Sequence, residues 1–124
     1  MALRGIRGAT TVEENTKEAI RQAVQELMQG IVTQNELCPE DIGAAIFTAT
    51  EDITALFPAA GARQLPGFDL VPLFDARQMD VTGALPRCIR VLVLADVDKP
   101  QAAIRHVYLR EARKLRPDLV CLPR

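Results

Sequence analysis

The sequence has one histidine and three cysteines in 124 residues, and that scarcity closes off several chemistries. A Ser-His-Asp arrangement would rest on His106 alone. Cys38, Cys88 and Cys121 are widely scattered, form no CxxC and have no histidine nearby. They suit free thiols in a reducing cytosol, and they fit neither a metal site nor a disulfide framework. No stretch approaches the ~20 apolar residues of a membrane helix, and Met1 to Arg7 lacks the long apolar run of a signal peptide. A cytoplasmic location is therefore expected. A basic excess is also missing: the formal net charge of -1 argues against nucleic acid as the main partner. Arg4-Gly5-Ile6-Arg7-Gly8 contains two RG pairs, but without aromatics or neighbouring basic residues. It reads better as a strand with small residues, where backbone or ligand approaches closely. No nucleophile–base pair, phosphate loop or repeat stands out.

What is present fits one compact domain, since 48% of the residues are hydrophobic and 25% charged. Leu3 to Thr11 reads as an opening strand. Asn15 followed by Glu18 resembles a capping box, and Ile20, Val24, Leu27 and Ile31 recur at helical spacing, predicting an amphipathic helix over 16–34. Pro39-Glu40-Asp41 reads as a helical turn, Ala44 to Thr50 as a second strand and 58–65 as a short Ala-rich helix. Leu70 to Phe74 reads as a third strand, and a polar loop runs from Asp75 to Gly83. Cys88 to Leu94 is a fourth strand, Asp98-Lys99-Pro100 opens a further turn, and Arg105 to Leu109 forms a last strand. Pro117 and Pro123 make 117–124 an irregular tail after a domain over 1–116. The order β-α-β-α-β-β-β predicts an α+β fold, a mixed sheet packed on one long and one short helix. One sheet face is left needing cover, which self-association would supply.

Arg90 is the most informative position. It lies within Cys88-Ile89-Arg90-Val91-Leu92-Val93-Leu94, a run that reads as a strand buried on both faces. Alternation places it with Cys88, Leu92 and Leu94, opposite Ile89, Val91 and Val93. A buried guanidinium stays charged and costs several kcal/mol unless an anion pairs with it. Its counter-charge is either a distant Asp or Glu, with the head otherwise snorkelling to water, or an anionic ligand. Arg7 and Arg63 join it as candidates for bidentate carboxylate recognition, whereas Arg105, Arg110 and Arg113 read as surface charges. Tyr108, the only tyrosine, shares a face with His106, and both read first as structural hydrogen-bonders.

Several blocks taken together resemble the small AroH-type chorismate mutases. They are Arg4-Gly5-Ile6-Arg7-Gly8-Ala9-Thr10-Thr11-Val12-Glu13, Phe57-Pro58-Ala59, Met79-Asp80-Val81-Thr82-Gly83, Cys88-Ile89-Arg90-Val91, Arg105-His106-Val107-Tyr108-Leu109 and Leu115-Arg116-Pro117-Asp118-Leu119. They fall in order and cover essentially the whole chain. The resemblance implies a homotrimer forming a pseudo-α/β-barrel, with active sites at the subunit interfaces. It implies rearrangement of chorismate to prephenate without cofactor, metal or covalent intermediate. By the same resemblance Arg90 is the electrostatic catalyst, Arg7 a substrate contact and Tyr108 a hydrogen-bonding contact. The loop Phe74-Asp75-Ala76-Arg77-Gln78 lines the pocket. Phe57, Ala59, Arg63, Leu73 and Leu115 form its outer wall, and Arg116 closes over it. A trimeric non-enzymatic sensor of an anionic metabolite is the alternative the same cations would serve.

Three positions depart from the family pattern. Position 78, often Glu, is Gln78; position 75, often Cys or Ser, is Asp75; and Ala60 stands where a Lys can occur. Gln78 keeps an acceptor oxygen and adds a donor. Asp75 either supplies the displaced carboxylate, or faces solvent or pairs with Arg77. Ala60 removes one positive charge from the site entrance.

Overall fold

A computed structural model describes residues 2–116; the expected tail over 117–124 lies outside the described residues. Strands β1 (Leu3–Thr11), β2 (Ile42–Ala49), β3 (Leu73–Arg77), β4 (Cys88–Asp96) and β5 (Val107–Tyr108) form one sheet in the order β3-β2-β4-β1-β5. The sheet is mixed: β4 runs antiparallel to both β1 and β2, while β3 and β5 pair in parallel at the two edges. Helices α1 (Lys17–Gln34) and α2 (Pro58–Arg63) supply the helical layer. The α+β reading with one long and one short helix is borne out.

The long helix forms where its apolar spacing dictates. Ile20, Ala23, Val24, Leu27, Met28 and Ile31 are all fully buried, one continuous stripe against the sheet. Its cap differs from the expected one. Thr16, not Asn15, accepts from the Ala19 amide at 3.1 Å, while Asn15 accepts from the backbone of Thr54 and Ala55 at 3.0 Å each. A hydroxyl next to the helix outcompetes an amide that can brace a distant loop. Across the sheet, Ile6, Phe47, Ile89, Val91 and Val93 complete the core.

Only one face of the sheet is covered. Along β4, Cys88, Ile89, Val91, Val93 and Ala95 are buried, whereas Arg90, Leu92 and Asp96 are exposed. The strand is therefore not buried on both faces within one chain, because a single helical layer can shield only alternate residues. The register extends this split across the sheet. Arg90 is opposite Ala9 on β1 and Thr48 on β2, and Leu92 is opposite Arg7 and Ile46. The β2–β3 register adds Phe74 and Ala76 to the same open face.

Two strand expectations and one turn expectation shift. β3 begins at Leu73 rather than Leu70, since Phe68–Leu70 forms a 3-10 turn after Gly67, whose φ of 83° suits glycine. Residues 75–77 are consequently strand and not loop. The turn expected at Asp98-Lys99-Pro100 falls at Gln101–Ala103, and β5 shrinks to two residues. Beyond it, Arg110–Lys114 makes a 3-10 turn that the periodicity does not announce.

Gly8 fixes how closely α1 approaches. A Cβ there would sit 2.8 Å from Ile31 Cδ1 and 3.1 Å from both Leu27 Cδ1 and Val91 Cγ1. Those side chains are at the centre of the core and have little room to yield. Gly8→Val should cost about 1–3 kcal/mol of stability, read as a lowered denaturation midpoint in urea at unchanged m-value.

Candidate active site

The open sheet face holds a groove of about 630 Å³ lined by Arg7, Gly8, Ala9, Ile46, Thr48, Arg90, Val91, Leu92, Tyr108, Leu115 and Arg116. Five residues expected at the site, Arg7, Arg90, Tyr108, Leu115 and Arg116, are thus brought together. Strand geometry explains most of this. Arg90 and Arg7 share a face of adjacent antiparallel strands, diagonal to each other and two residues apart along the ladder. Tyr108 joins them because β5 pairs with Ala9. Among the described residues, no carboxylate forms an ion pair with Arg7 or Arg90. Two guanidinium groups with no carboxylate beside them among the described residues can serve an anion, and their planar forks suit carboxylates.

The start of β4 is clamped so that Arg90 is placed accurately. Arg87 holds a φ of 47°; its amide donates to both oxygens of Asp52 at 3.1 and 2.9 Å, and its Nε donates to Val12 O at 3.0 Å. Thr50 Oγ1 donates to Asp52 and accepts from the Cys88 amide. Burial pushes the Cys88 thiol up, and the nearby Arg90 guanidinium opposes that rise. Cys88 therefore stays a neutral neighbour of Arg90.

Four of the remaining expected residues, Phe57, Asp75, Ala76 and Arg77, gather elsewhere. A second hollow of about 560 Å³ is lined by Ala49, Thr50, Glu51, Ile53, Thr54, Ala55, Leu56, Phe57, Pro58, Asp75, Ala76 and Arg77. Phe57, 72% exposed, projects at its rim. Ala59, in the first turn of α2, is buried in the core, and Leu73 packs against that core from the helical side; both stand behind the wall. Phe74, 67% exposed, lies on the open face. Within one chain, then, the expected site is in two halves.

Asp75 is placed by helix chemistry. Phe57 precedes α2 but brings no capping oxygen, and Pro58 has no amide hydrogen. Ala59 is the first amide of the helix in need of an acceptor, and Asp75 Oδ1 takes it at 3.0 Å. Register puts Asp75 on the helical side of β3, so within one chain it does not share a face with Arg90. It neither points to open solvent nor pairs with Arg77. Desolvation raises its pKa, while the Ala59 hydrogen bond and the charge of Arg63 pull the other way. Gln78, whose amide donates to Ala49 O at 3.0 Å, carries a buried Oε1 with no hydrogen-bond partner among the described residues. An acceptor left open beside the sheet edge suits a hydroxyl donor from a ligand.

Sequence reading missed Thr48 and Ile46, which enter the groove only through the β2–β4 register. No signal short of the pairing itself identifies them. Among the described residues, no group of three or more His, Cys, Asp or Glu is arranged to hold a metal. No helix among them is long and apolar enough to cross a membrane.

The capping role of Asp75 makes a separable expectation. Asp75→Ala should lose about 1 kcal/mol of stability. Asp75→Asn, which keeps the acceptor oxygen and has no charge to desolvate, should be at least as stable as the parent at neutral pH. Chemical denaturation of the three proteins checks it.

Comparison with known proteins agrees with this geometry along almost the whole chain. A family model described as chorismate mutase type I matches residues 3–119. A chorismate mutase AroH of Thermus thermophilus is 56% identical over 118 residues, spanning 94% of this chain and 96% of that protein. Its counterpart in Bacillus subtilis is 48% identical over 119 residues, spanning 96% and 94%. A solved chorismate mutase from Clostridium thermocellum superimposes with a TM-score of 0.86 at 40% identity, covering 90% of this chain and 98% of the other. A match of this extent to a family model, two curated relatives and a solved structure settles the grouping: the chain belongs to the chorismate mutase type I family.

Proposed function

We propose that this chain isomerises chorismate to prephenate, a step of aromatic amino acid biosynthesis, in sites completed between copies of the chain. The observation that carries the reading is the Arg7–Arg90 pair, two cations that meet no carboxylate partner among the described residues, on an open sheet face. Chorismate brings what they lack: two carboxylates, and an ether oxygen on which negative charge grows as the C–O bond breaks ahead of C–C bond formation. Arg90 serves as the electrostatic catalyst at that oxygen and as a carboxylate ligand. A fixed cation there gains more from the transition state than from the ground state. Arg7 grips substrate from the neighbouring strand, and Tyr108 and Gln78 supply hydrogen bonds. Holding the flexible substrate in its compact diaxial form lowers the barrier further. No nucleophile or proton transfer is called for.

The two separated halves support a shared site. A groove bearing Arg7, Arg90, Tyr108, Leu115 and Arg116 lies open on one copy. The hollow with Phe57, Asp75, Ala76 and Arg77, where the charge of Arg63 reaches Asp75, belongs to another part of the surface. A homotrimer in which each groove receives the next copy's hollow brings all of them to one substrate, and it covers the open face and its exposed apolar residues. Desolvation at such an interface strengthens both arginines' grip on an anion.

Arg90→Ala should lower kcat/KM by about 10² to 10³, or ~2.7–4 kcal/mol of transition-state stabilisation. Arg90→Lys should recover little, since an ammonium cannot reproduce the bidentate fork. Following chorismate absorbance at fixed enzyme concentration reads both. Unimpaired turnover by Arg90→Ala would overturn the assignment of Arg90. Tight prephenate binding by a parent protein with no turnover would point instead to a binding protein.

A further inference from the structure

β5 is too short to serve all of β1. Its two residues pair in parallel with Gly8 and Ala9, and Leu109 N donates to Ala9 O at 2.9 Å. Continued one step back, a parallel ladder would offer the Arg105 carbonyl to the Arg7 amide. Arg105 is held elsewhere. Its amide donates to Asn35 Oδ1 at 2.8 Å, and its carbonyl accepts from Asn35 Nδ2 at 2.9 Å. Asn35, 2% exposed, also donates to Ile31 O in the last turn of α1. A buried amide thus draws Arg105 out of the sheet, and the Arg7 amide donates to His106 Nδ1 at 2.9 Å instead.

We propose that His106 is the positioning residue for Arg7: its neutral imidazole, carrying its proton on Nε2, replaces the missing strand acceptor and fixes the backbone from which Arg7 reaches substrate. The inference rests on the chorismate reading of the groove and extends it to a residue outside the groove lining. Asn35 is the anchor of the arrangement. It ties the end of α1 to Arg105, and Arg105 precedes the histidine directly.

The surroundings favour the neutral imidazole. Among the described residues, His106 borders a hollow with Arg4, Gly5, Arg7, Leu92, Gln101 and Ile104, none of them acidic. Arg4 and Arg7 face it from β1, Arg116 approaches from beyond the last 3-10 turn, and Arg105 is adjacent in the chain. Burial first, then Arg7 and Arg116, hold its pKa below the ordinary 6.5. Protonation would take away the Nδ1 lone pair that the Arg7 amide uses. It would also add a cation beside Arg7 and Arg116. The sign follows: the bond is intact above the ordinary histidine value and is lost as pH falls through the depressed one. Substrate capture should then weaken in acid, at a pH where carboxylates remain ionised.

The test combines substitution, pH and direct observation of the imidazole. His106→Leu removes the acceptor, and His106→Asn restores an oxygen at the Nδ1 position. His106→Leu should lower kcat/KM by about tenfold or more at pH 7.5, and His106→Asn should recover most of that loss. The parent should show an acid limb below pH 6.5 that His106→Asn lacks; a limb caused by Asp75 would survive the substitution. In an Arg7→Ala background, His106→Leu should add less than about twofold. Equal losses with and without Arg7, or an acid limb retained in His106→Asn, would overturn the proposal. Because the chain has one histidine, its NMR signals are unambiguous and need no activity. An unprotonated Nδ1 at neutral pH supports the proposal even if chorismate is not turned over, and a protonated Nδ1 contradicts it even if chorismate is.

Discussion

One layer of helices shields one face of the sheet, and the alternation along β4 converts that asymmetry into a binding surface. Ile89, Val91 and Val93 point into the core against α1, which leaves Arg90 and Leu92 no choice but the other side. Pairing with β1 and β2 then brings Arg7, Ala9, Ile46 and Thr48 to the same surface. The energy for holding two like charges there comes from the covered side. Five large, fully buried side chains of α1, Ile20, Val24, Leu27, Met28 and Ile31, each contributing on the order of 1.5–3 kcal/mol on burial, fix the register that the charged face inherits. Gly8 belongs to the same constraint, since it sets the distance at which the helix can press on β1 beside Arg7.

The two halves of the site follow from how the edges are built. Asp75 is drawn to the helical side of β3 because α2 begins with a residue that cannot cap and a proline that cannot donate. That ties the start of α2 to β3 on the side of the sheet away from Arg90. A carboxylate at position 75 is thus a structural element of the wall. Within one chain that carboxylate is engaged by the Ala59 amide. Gln78 keeps its own unsatisfied oxygen for whatever donor reaches it. Closure of the groove by the wall of another copy, as proposed, would cover the exposed apolar face and join the two halves of the site together.

Much of this was legible in the sequence, for reasons that separate cleanly. β1, α1 and β4 carry strong periodicity, and the structure places them within two residues of the expected bounds. Arg7, Arg90 and Tyr108 were identified by type and by family blocks, and the groove unites them. What failed depended on tertiary competition. β5 was expected over five residues, but the Asn35 amide takes the backbone of Arg105 and leaves two. β3 was misplaced because Gly67 and a 3-10 turn absorb Phe68–Leu70. Arg90 was expected to be buried because an apolar run does not reveal how many helical layers cover it. Thr48 and Ile46 needed the register, which local sequence does not encode.

The central claim is that each substrate is held by the Arg90 face of one copy and the Phe57–Arg63 wall of another. Co-expressing Arg90→Ala with Arg63→Ala, and measuring chorismate turnover of the mixed assemblies, tests it most directly. Random association of two inactive subunits in a symmetric trimer regenerates roughly a quarter of the sites with both residues intact. The account predicts recovery to about that fraction of parental activity, with each variant alone nearly inactive. Mixed trimers that form, as shown by native mass spectrometry, yet remain as inactive as their parents would contradict it.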